Sequence, residues 1–318
     1  MLRRDFLTGL AASAVWTTGT AAATPLADIP VIDSHIHLFD ATRPQGAPYT
    51  GSRDYQGGIS SPALYRAAGR PLGIVGAVVI EASSWIEDNL WALEQVQSDT
   101  MMLGFVGDFK PEDPAFPQYL ARYQKNKLFR GIRYGNNWRY DLVGQMANPA
   151  LFDGLKLLSQ ADLSLDTANP RVDLLQAMVT INDRLPDLRI VLDHLPFFEP
   201  TPQNQADYNA VLRDIHSRPN IYVKLSEIYH RVNGIVMMGL AAHRDRMDML
   251  MGVFGEDRVI FGSDAQQEAG VATLPEIVGL VREYFSTQPH TVAEKFFWKN
   301  SAVFYKWVRR ASDQPSLV

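Results

Sequence analysis

At 318 residues the chain is long enough for one large α/β barrel or two small domains, and a net charge of −5 without a Lys/Arg cluster argues against a nucleic-acid partner. It contains no cysteine, which excludes disulfides and thiolate ligands and leaves His, Asp and Glu to hold any metal. No composition shift or low-complexity linker divides it, so the sequence reads as a single domain.

The chain opens Met1-Leu2-Arg3-Arg4-Asp5-Phe6-Leu7-Thr8, followed by an apolar, alanine-rich stretch from Gly9 to Val15 and the small residues Ala21-Ala22-Ala23. Paired arginines, a short weakly hydrophobic segment and an Ala-x-Ala site predict an export signal similar to the twin-arginine type, cut after Ala23. Residues 24–318 would then form a periplasmic domain. The apolar run is too short to span a bilayer as a stable helix, so no membrane span is expected in the mature chain. An uncleaved anchor or a disordered tail is the competing reading.

Beyond this segment, apolar runs of strand length alternate with segments of helical period, the pattern of repeated βα units around a parallel sheet. Eight strands are predicted, over residues 31–37, 73–82, 102–109, 129–134, 163–167, 189–194, 221–228 and 258–264. Between and after them, spacings such as Ile277, Leu280, Val281 and Tyr284 mark helical faces. Asn169-Pro170 reads as a capping residue before a proline at the first helical position. Eight strand-helix pairs predict a (β/α)8 TIM barrel, in which catalytic residues sit at the carboxyl ends of the strands; a doubly wound open sheet is the alternative. The Pro/Gly/polar stretch over residues 42–61 is too long for an ordinary βα connection, and is expected to lie over the barrel mouth and help form the pocket.

The polar residues that end the predicted strands converge. The first strand, Val31-Ile32-Asp33-Ser34-His35-Ile36-His37, supplies two histidines at i and i+2, whose imidazoles leave the same face. Glu81 ends the second, Arg133 the fourth, His194 the sixth, Ser226 the seventh and Asp264 the eighth. Singly, each has a bland reading: a hydrogen-bonded core histidine, or an aspartate capping the next helix. Jointly, His35, His37, His194 and Asp264 compose the ligand set that a divalent ion takes. Alternation also places Asp33 one layer below His35, and Lys224 one layer below Ser226. The two are therefore expected to share a buried polar network, because a charge inside a barrel is costly unless paired. His216, His243 and His290 fall in helices or helix ends and read as surface groups.

The Ile-Asp-Ser-His-Ile-His opening, the Val-Leu-Asp-His-Leu run, the Val-Lys-Leu-Ser strand, the Gly-Ser-Asp strand end and Asn300-Ser301-Ala302 resemble the amidohydrolase superfamily. The branch is the one containing sugar lactonases and 2-pyrone-4,6-dicarboxylate hydrolase, and the motifs keep their order over the whole mature chain. The resemblance implies a (β/α)8 hydrolase whose His35, His37 and Asp264 either hold one divalent, zinc-like metal or work without one. His194 matches the histidine of the Asp-His-Leu run. Two positions depart from the pattern. The middle strands carry Arg133 and Asp166 where relatives with stronger metal sites place a further histidine or a modified lysine, which speaks against a tight binuclear centre. Ala265-Gln266 follows Gly-Ser-Asp where lactonase-like members often have Trp-Pro, which weakens the transfer of substrate.

The expected reaction is hydrolysis of a lactone or related cyclic ester. Asp264 would deprotonate a water, a histidine or metal would polarise the carbonyl, and His194 would orient the water or stabilise the oxyanion. The expected partner is a small molecule, carboxylated or polyhydroxylated, because guanidinium groups such as Arg133 and Arg139 bind carboxylate bidentately. Trp85 offers a face to a sugar ring, and Glu81, Ser226, Tyr229 and His230 complete the candidate pocket. Metal-dependent nonoxidative decarboxylation and a non-catalytic exported binding barrel are the other readings.

Overall fold

The computed structural model describes residues 26–52, 55–195, 198–229 and 231–317. The expected export signal, its cleavage site and His230 lie outside these. Among the described residues no helix is long and apolar enough to cross a membrane.

Eight strands form one parallel sheet in sequential order: β1 Val31–His37, β2 Ile74–Ile80, β3 Met102–Asp108, β4 Phe129–Arg133, β5 Ser164–Thr167, β6 Ile190–Leu192, β7 Ile221–Leu225 and β8 Val259–Phe261. All eight predicted strands are present, most of them shorter at one or both ends. Each is followed by a helix: α1 Pro62–Gly69, α2 Asp88–Ser98, α3 Phe116–Tyr123, α4 Pro149–Gln160, α5 Val172–Arg184, α6 Gln205–His216, α7 Arg244–Phe254 and α8 Leu274–Phe285. Start signals are local. Asn148 and Ser61 each cap a helix that begins with proline, and Thr273 and Glu276 form a reciprocal capping box on α8. Ile277, Leu280, Val281 and Tyr284 are buried against the sheet as their spacing predicts. Asn169-Pro170 does not start a helix; α5 begins at Val172, and Asn169 adopts φ 54° at the mouth.

The barrel closes between β8 and β1 through side chains and single backbone bonds, the sequential ladder among the described residues running only from β1 to β8. Ser34 Oγ donates to the Phe261 carbonyl, Asp264 N donates to the His35 carbonyl at 2.9 Å, and Ser263 N donates to Asp33 Oδ1 at 2.8 Å. Gly262 permits this seam, because a Cβ there would lie 2.7 Å from the Cβ of His35.

Asp33 therefore does not join Lys224. Irregular pairing between Asp33 and Ile36 breaks the alternation of β1, and Asp33 turns outward to accept from Tyr65 on α1. Lys224 points inward and pairs instead with Asp166 at 2.8 Å and Asp193 at 3.0 Å, all three fully buried. The aliphatic core lies between sheet and helices, and the barrel interior near the mouth is polar. Tyr305, from the helix Asn300–Tyr305, donates to Asp166 in the interior, while Asn300 donates to the carbonyls of Glu256 and Val259. That gives Asn300 a structural role.

Candidate active site

Three strand ends bring His35, His37, His194 and Asp264 together. Asp264 Oδ1 lies 3.4 Å from His37 Nε2, and its Oδ2 lies 3.4 Å from His194 Nε2 and 3.8 Å from His35 Nε2. The turns that aim these groups are unusual. His194 (φ 58°), Glu227 (φ 47°) and Asp264 (φ 46°), just past the ends of β6, β7 and β8, all adopt the left-handed region. Non-glycine residues visit it rarely, at a cost on the order of 1–3 kcal/mol each. Such strain at three facing positions concentrates at the mouth of the barrel.

Hydrogen bonds assign the imidazole protons. His37 Nδ1 lies 3.1 Å from the Ile80 carbonyl, which can only accept, so Nδ1 carries a proton and the Nε2 edge of the ring faces Asp264. Arg133 donates to His194 Nε2 at 3.2 Å, so His194 Nδ1–H donates to Ser226 Oγ at 2.9 Å. His35 Nδ1 has two neighbours, the Lys224 ammonium at 3.3 Å and Asp193 Oδ1 at 3.7 Å. The closer one makes Nδ1 an acceptor.

Burial and neighbouring charge set the ionisation. Burial opposes the charge on Asp264, but His35, His37 and His194 more than offset it and hold the carboxyl well below the usual range. Burial and then Lys224 push His35 far below the ordinary imidazole value, and burial brings His194 down to about 4. Burial and the adjacent Asp264 raise Glu227 well above the carboxylate range. Burial likewise raises Glu81 to about 8 and Asp108 to about 7. Asp193 is pulled low against its burial, chiefly by Lys224.

The cluster opens into a cavity of about 260 Å³, whose lining includes Tyr49, Glu81, Arg133, Asn137, Trp138 and Glu227 beside His37, His194 and Asp264. That volume suits a compact ligand. Tyr49 comes from the long segment after β1, which does cover the mouth as expected; its hydroxyl donates to Gln267 at 3.0 Å.

Several expected pocket residues lie elsewhere. Arg139 is exposed in a left-handed turn and does not line the cavity. Trp85, 39% exposed, is also outside it, and Trp138 supplies the indole wall instead. Ser226 sits behind His194 as its hydrogen-bond partner. Tyr229 turns away, donating to the Glu276 carbonyl with its ring 5.1 Å from that of His243. His243 is itself fully buried, against the surface expectation, with Nε2 2.7 Å from the Met237 carbonyl. His216 is exposed, as expected, and His290 is half-buried.

Sequence reasoning missed Glu227, Asp193, Tyr49, Asn137 and Trp138 as site residues. Asp193 and Glu227 each adjoin a residue already singled out, so adjacency was the available signal. Tyr49 lies in the 42–61 stretch expected over the mouth, though nothing singled it out within that stretch.

The donor set fits a divalent ion. Ligand atoms of His35, His37 and Asp264 lie within 4.8 Å of one another, all three residues are buried, and His35 Nε2 has no hydrogen-bond partner. Ligation by that atom requires Nδ1–H to be donated to Asp193, the arrangement that usually orients a metal-bound histidine.

The comparisons with known proteins agree with this geometry. The profile of the family described as "Amidohydrolase" matches residues 32–307. An L-fucono-1,5-lactonase of Burkholderia ambifaria is 26% identical over 249 residues, covering 73% of this chain and 79% of that protein. An L-fucono-1,5-lactonase of Burkholderia multivorans is 22% identical over 295 residues, covering 85% and 94%. Among solved structures, a zinc-bound amidohydrolase from Burkholderia multivorans superposes with a TM-score of 0.75 at 19% identity, covering 88% of this chain and all of that one. Matched over nearly its whole described length, the chain belongs to the amidohydrolase family.

Proposed function

We propose that the protein hydrolyses a neutral, polyhydroxylated lactone, with Asp264 as general base. The observation that carries this reading is a buried carboxylate, within 3.4–3.8 Å of three imidazole nitrogens, that faces a cavity of about 260 Å³. The lactonases it resembles support the reaction class.

Asp264 takes a proton from water as the oxygen attacks the lactone carbonyl carbon. The carbonyl oxygen becomes an oxyanion, for which Arg133 supplies positive charge beside His194. Collapse re-forms the C=O bond and breaks the ring C–O bond, and the proton held by Asp264 passes to the departing ring oxygen. The product is a hydroxy acid. When bound at His35, His37 and Asp264, a divalent ion would add Lewis-acid polarisation of the carbonyl.

The lining favours hydroxyl groups over carboxylates. Arg133 is the one cation lining the cavity among the described residues, and it is already engaged by Asp193 at 3.2 Å and Glu81 at 3.4 Å. Asn136, Asn137, Asn169 and Gln267 offer amide groups, and Glu81, Glu227 and Asp264 add acidity. A substrate carboxylate would meet no unpaired cation, which also disfavours the decarboxylase reading. The binding-barrel reading leaves the ionised Asp264 without a role.

A panel of aldonolactones and carboxylated lactones, followed by acid release, tests this. Opening of the neutral sugar lactones is expected; preference for the carboxylated ones, or no turnover of any lactone, would sink it. Export is part of the proposal and rests on Arg3-Arg4 and Ala21-Ala22-Ala23. Fractionation of cells carrying the full chain should place it in the periplasm, and an Arg3→Lys/Arg4→Lys variant should stay inside.

A further inference from the structure

Glu81 lines the cavity, yet both of its oxygens are already occupied by the protein. Oε1 accepts from Asn137 Nδ2 at 2.9 Å and Arg133 Nη1 at 3.4 Å, and Oε2 accepts from Trp138 Nε1 at 2.8 Å and Ser83 N at 3.1 Å. The residue is 3% exposed. Four donors and no acceptor around its oxygens favour the ionised form against the burial that opposes it, and a carboxylate so engaged has little capacity left for a ligand.

What it holds is part of the segment after β4, which brings Asn137 and Trp138 to the cavity. Trp138 and Arg139 are consecutive non-glycine residues at φ 52° and 62°, a conformation that persists only where surrounding contacts enforce it. The segment leaves β4 through Gly135, packed so close to β5 that a Cβ would lie 2.4 Å from Thr167 Oγ1. Its far end is tied down by Tyr140, whose hydroxyl donates to Asp108 at 2.7 Å. Between these two anchors Asn136 and Asn169 exchange side-chain-to-backbone hydrogen bonds, and Glu81 holds the side chains of Asn137 and Trp138.

The consequence for Asn137 is directional. Its amide nitrogen is committed to Glu81, so its Oδ1 faces away from that carboxylate; this atom is buried and has no hydrogen-bond partner. An unpartnered acceptor costs about 1–3 kcal/mol unless something donates to it. Trp138, anchored at Nε1, presents its ring to the same cavity. Held in this way, Trp138 offers an apolar face that matches the C–H face of a saturated ring, with Asn137 beside it in the cavity wall.

We propose that Glu81 is a positioning residue for substrate selectivity, holding Asn137 and Trp138 as the wall that recognises a hydroxylated ring. The inference rests on the lactone reading for its substrate, but its structural half stands independently. Glu81→Gln replaces a pure acceptor by a mixed group, and Trp138→Phe removes the indole N–H together with part of the apolar face.

Both variants should raise KM for a sugar lactone about tenfold, the effect of losing one hydrogen bond to a charged group, with kcat changed by less than about threefold. The double variant should be no worse than Glu81→Gln alone, because releasing Trp138 already forfeits the face that Trp138→Phe trims. A loss confined to kcat would overturn the proposal and assign Glu81 to the chemistry through Arg133. Additive effects would also overturn it.

The Trp138 indole N–H resonance, assigned by its loss in Trp138→Phe, supplies a readout free of turnover. In Glu81→Gln it should move upfield and exchange with solvent at least about tenfold faster; an unmoved resonance refutes the strut. A wild type inactive on every lactone, with the resonance behaving as expected, removes the lactone reading and leaves the positioning role standing.

Discussion

His37 Nε2 stands 3.4 Å from Asp264 Oδ1, and its orientation is fixed from behind by the Ile80 carbonyl at 3.1 Å from Nδ1. The Nε2 edge of the imidazole is thus aimed at the carboxylate, an arrangement that leaves room for a partner between or beside them. A cation satisfies it, and so does a water that donates to both.

A divalent ion bound by His35, His37 and Asp264 would depend for its affinity on a residue outside that set. His35 Nε2 can ligate only if Nδ1–H is given to Asp193, in competition with Lys224. Asp193→Asn should therefore weaken zinc binding about 10–100-fold, and His37→Ala at least as much, when each is titrated by calorimetry after chelation. Both binding as tightly as wild type would place the ion elsewhere.

Lys224 compensates two carboxylates inside the barrel, Asp166 and Asp193. Removing one partner of a buried ionic group leaves charge unpaired, at about 3–5 kcal/mol. Lys224→Met should lower the urea-unfolding free energy by that order, and a loss under ~1 kcal/mol would show that the group is not needed to neutralise the interior.

Glu268 gives stability a pH dependence of definite sign. Burial, and then Asp264, raise its carboxyl to about 8 in the folded chain, against 4.5 as the ordinary value. A raised folded value means that the folded state keeps a proton that the unfolded state loses. The contribution is complete below about pH 4.5 and disappears as pH rises through about 8. Glu268→Gln in metal-free protein should flatten the decline between pH 5 and pH 8.5 by on the order of 3 kcal/mol. Parallel curves for variant and wild type would show that Glu268 does not carry it.

The architecture was legible because parallel strands buried on both faces read as apolar runs, and all eight stand out. His35, His37, His194 and Asp264 were legible because each ends such a run. Side-chain direction was harder to read. Asp33 left the interior because β1 is irregular, a feature that period-two alternation cannot register. Arg139 and Trp85 were placed in the pocket by proximity in sequence, but left-handed turns at Trp138 and Arg139 redirect the segment after β4. Tyr49 reaches the site on a segment with no periodicity, so only tertiary structure reveals it.

The most direct test is the rate of lactone opening by Asp264→Asn against wild type, on the best neutral sugar lactone, with folding of both verified by circular dichroism. Loss of the general base predicts a fall in kcat of about 10²–10⁴-fold with little change in KM. An Asp264→Asn protein that opens the lactone at the wild-type rate would contradict the account.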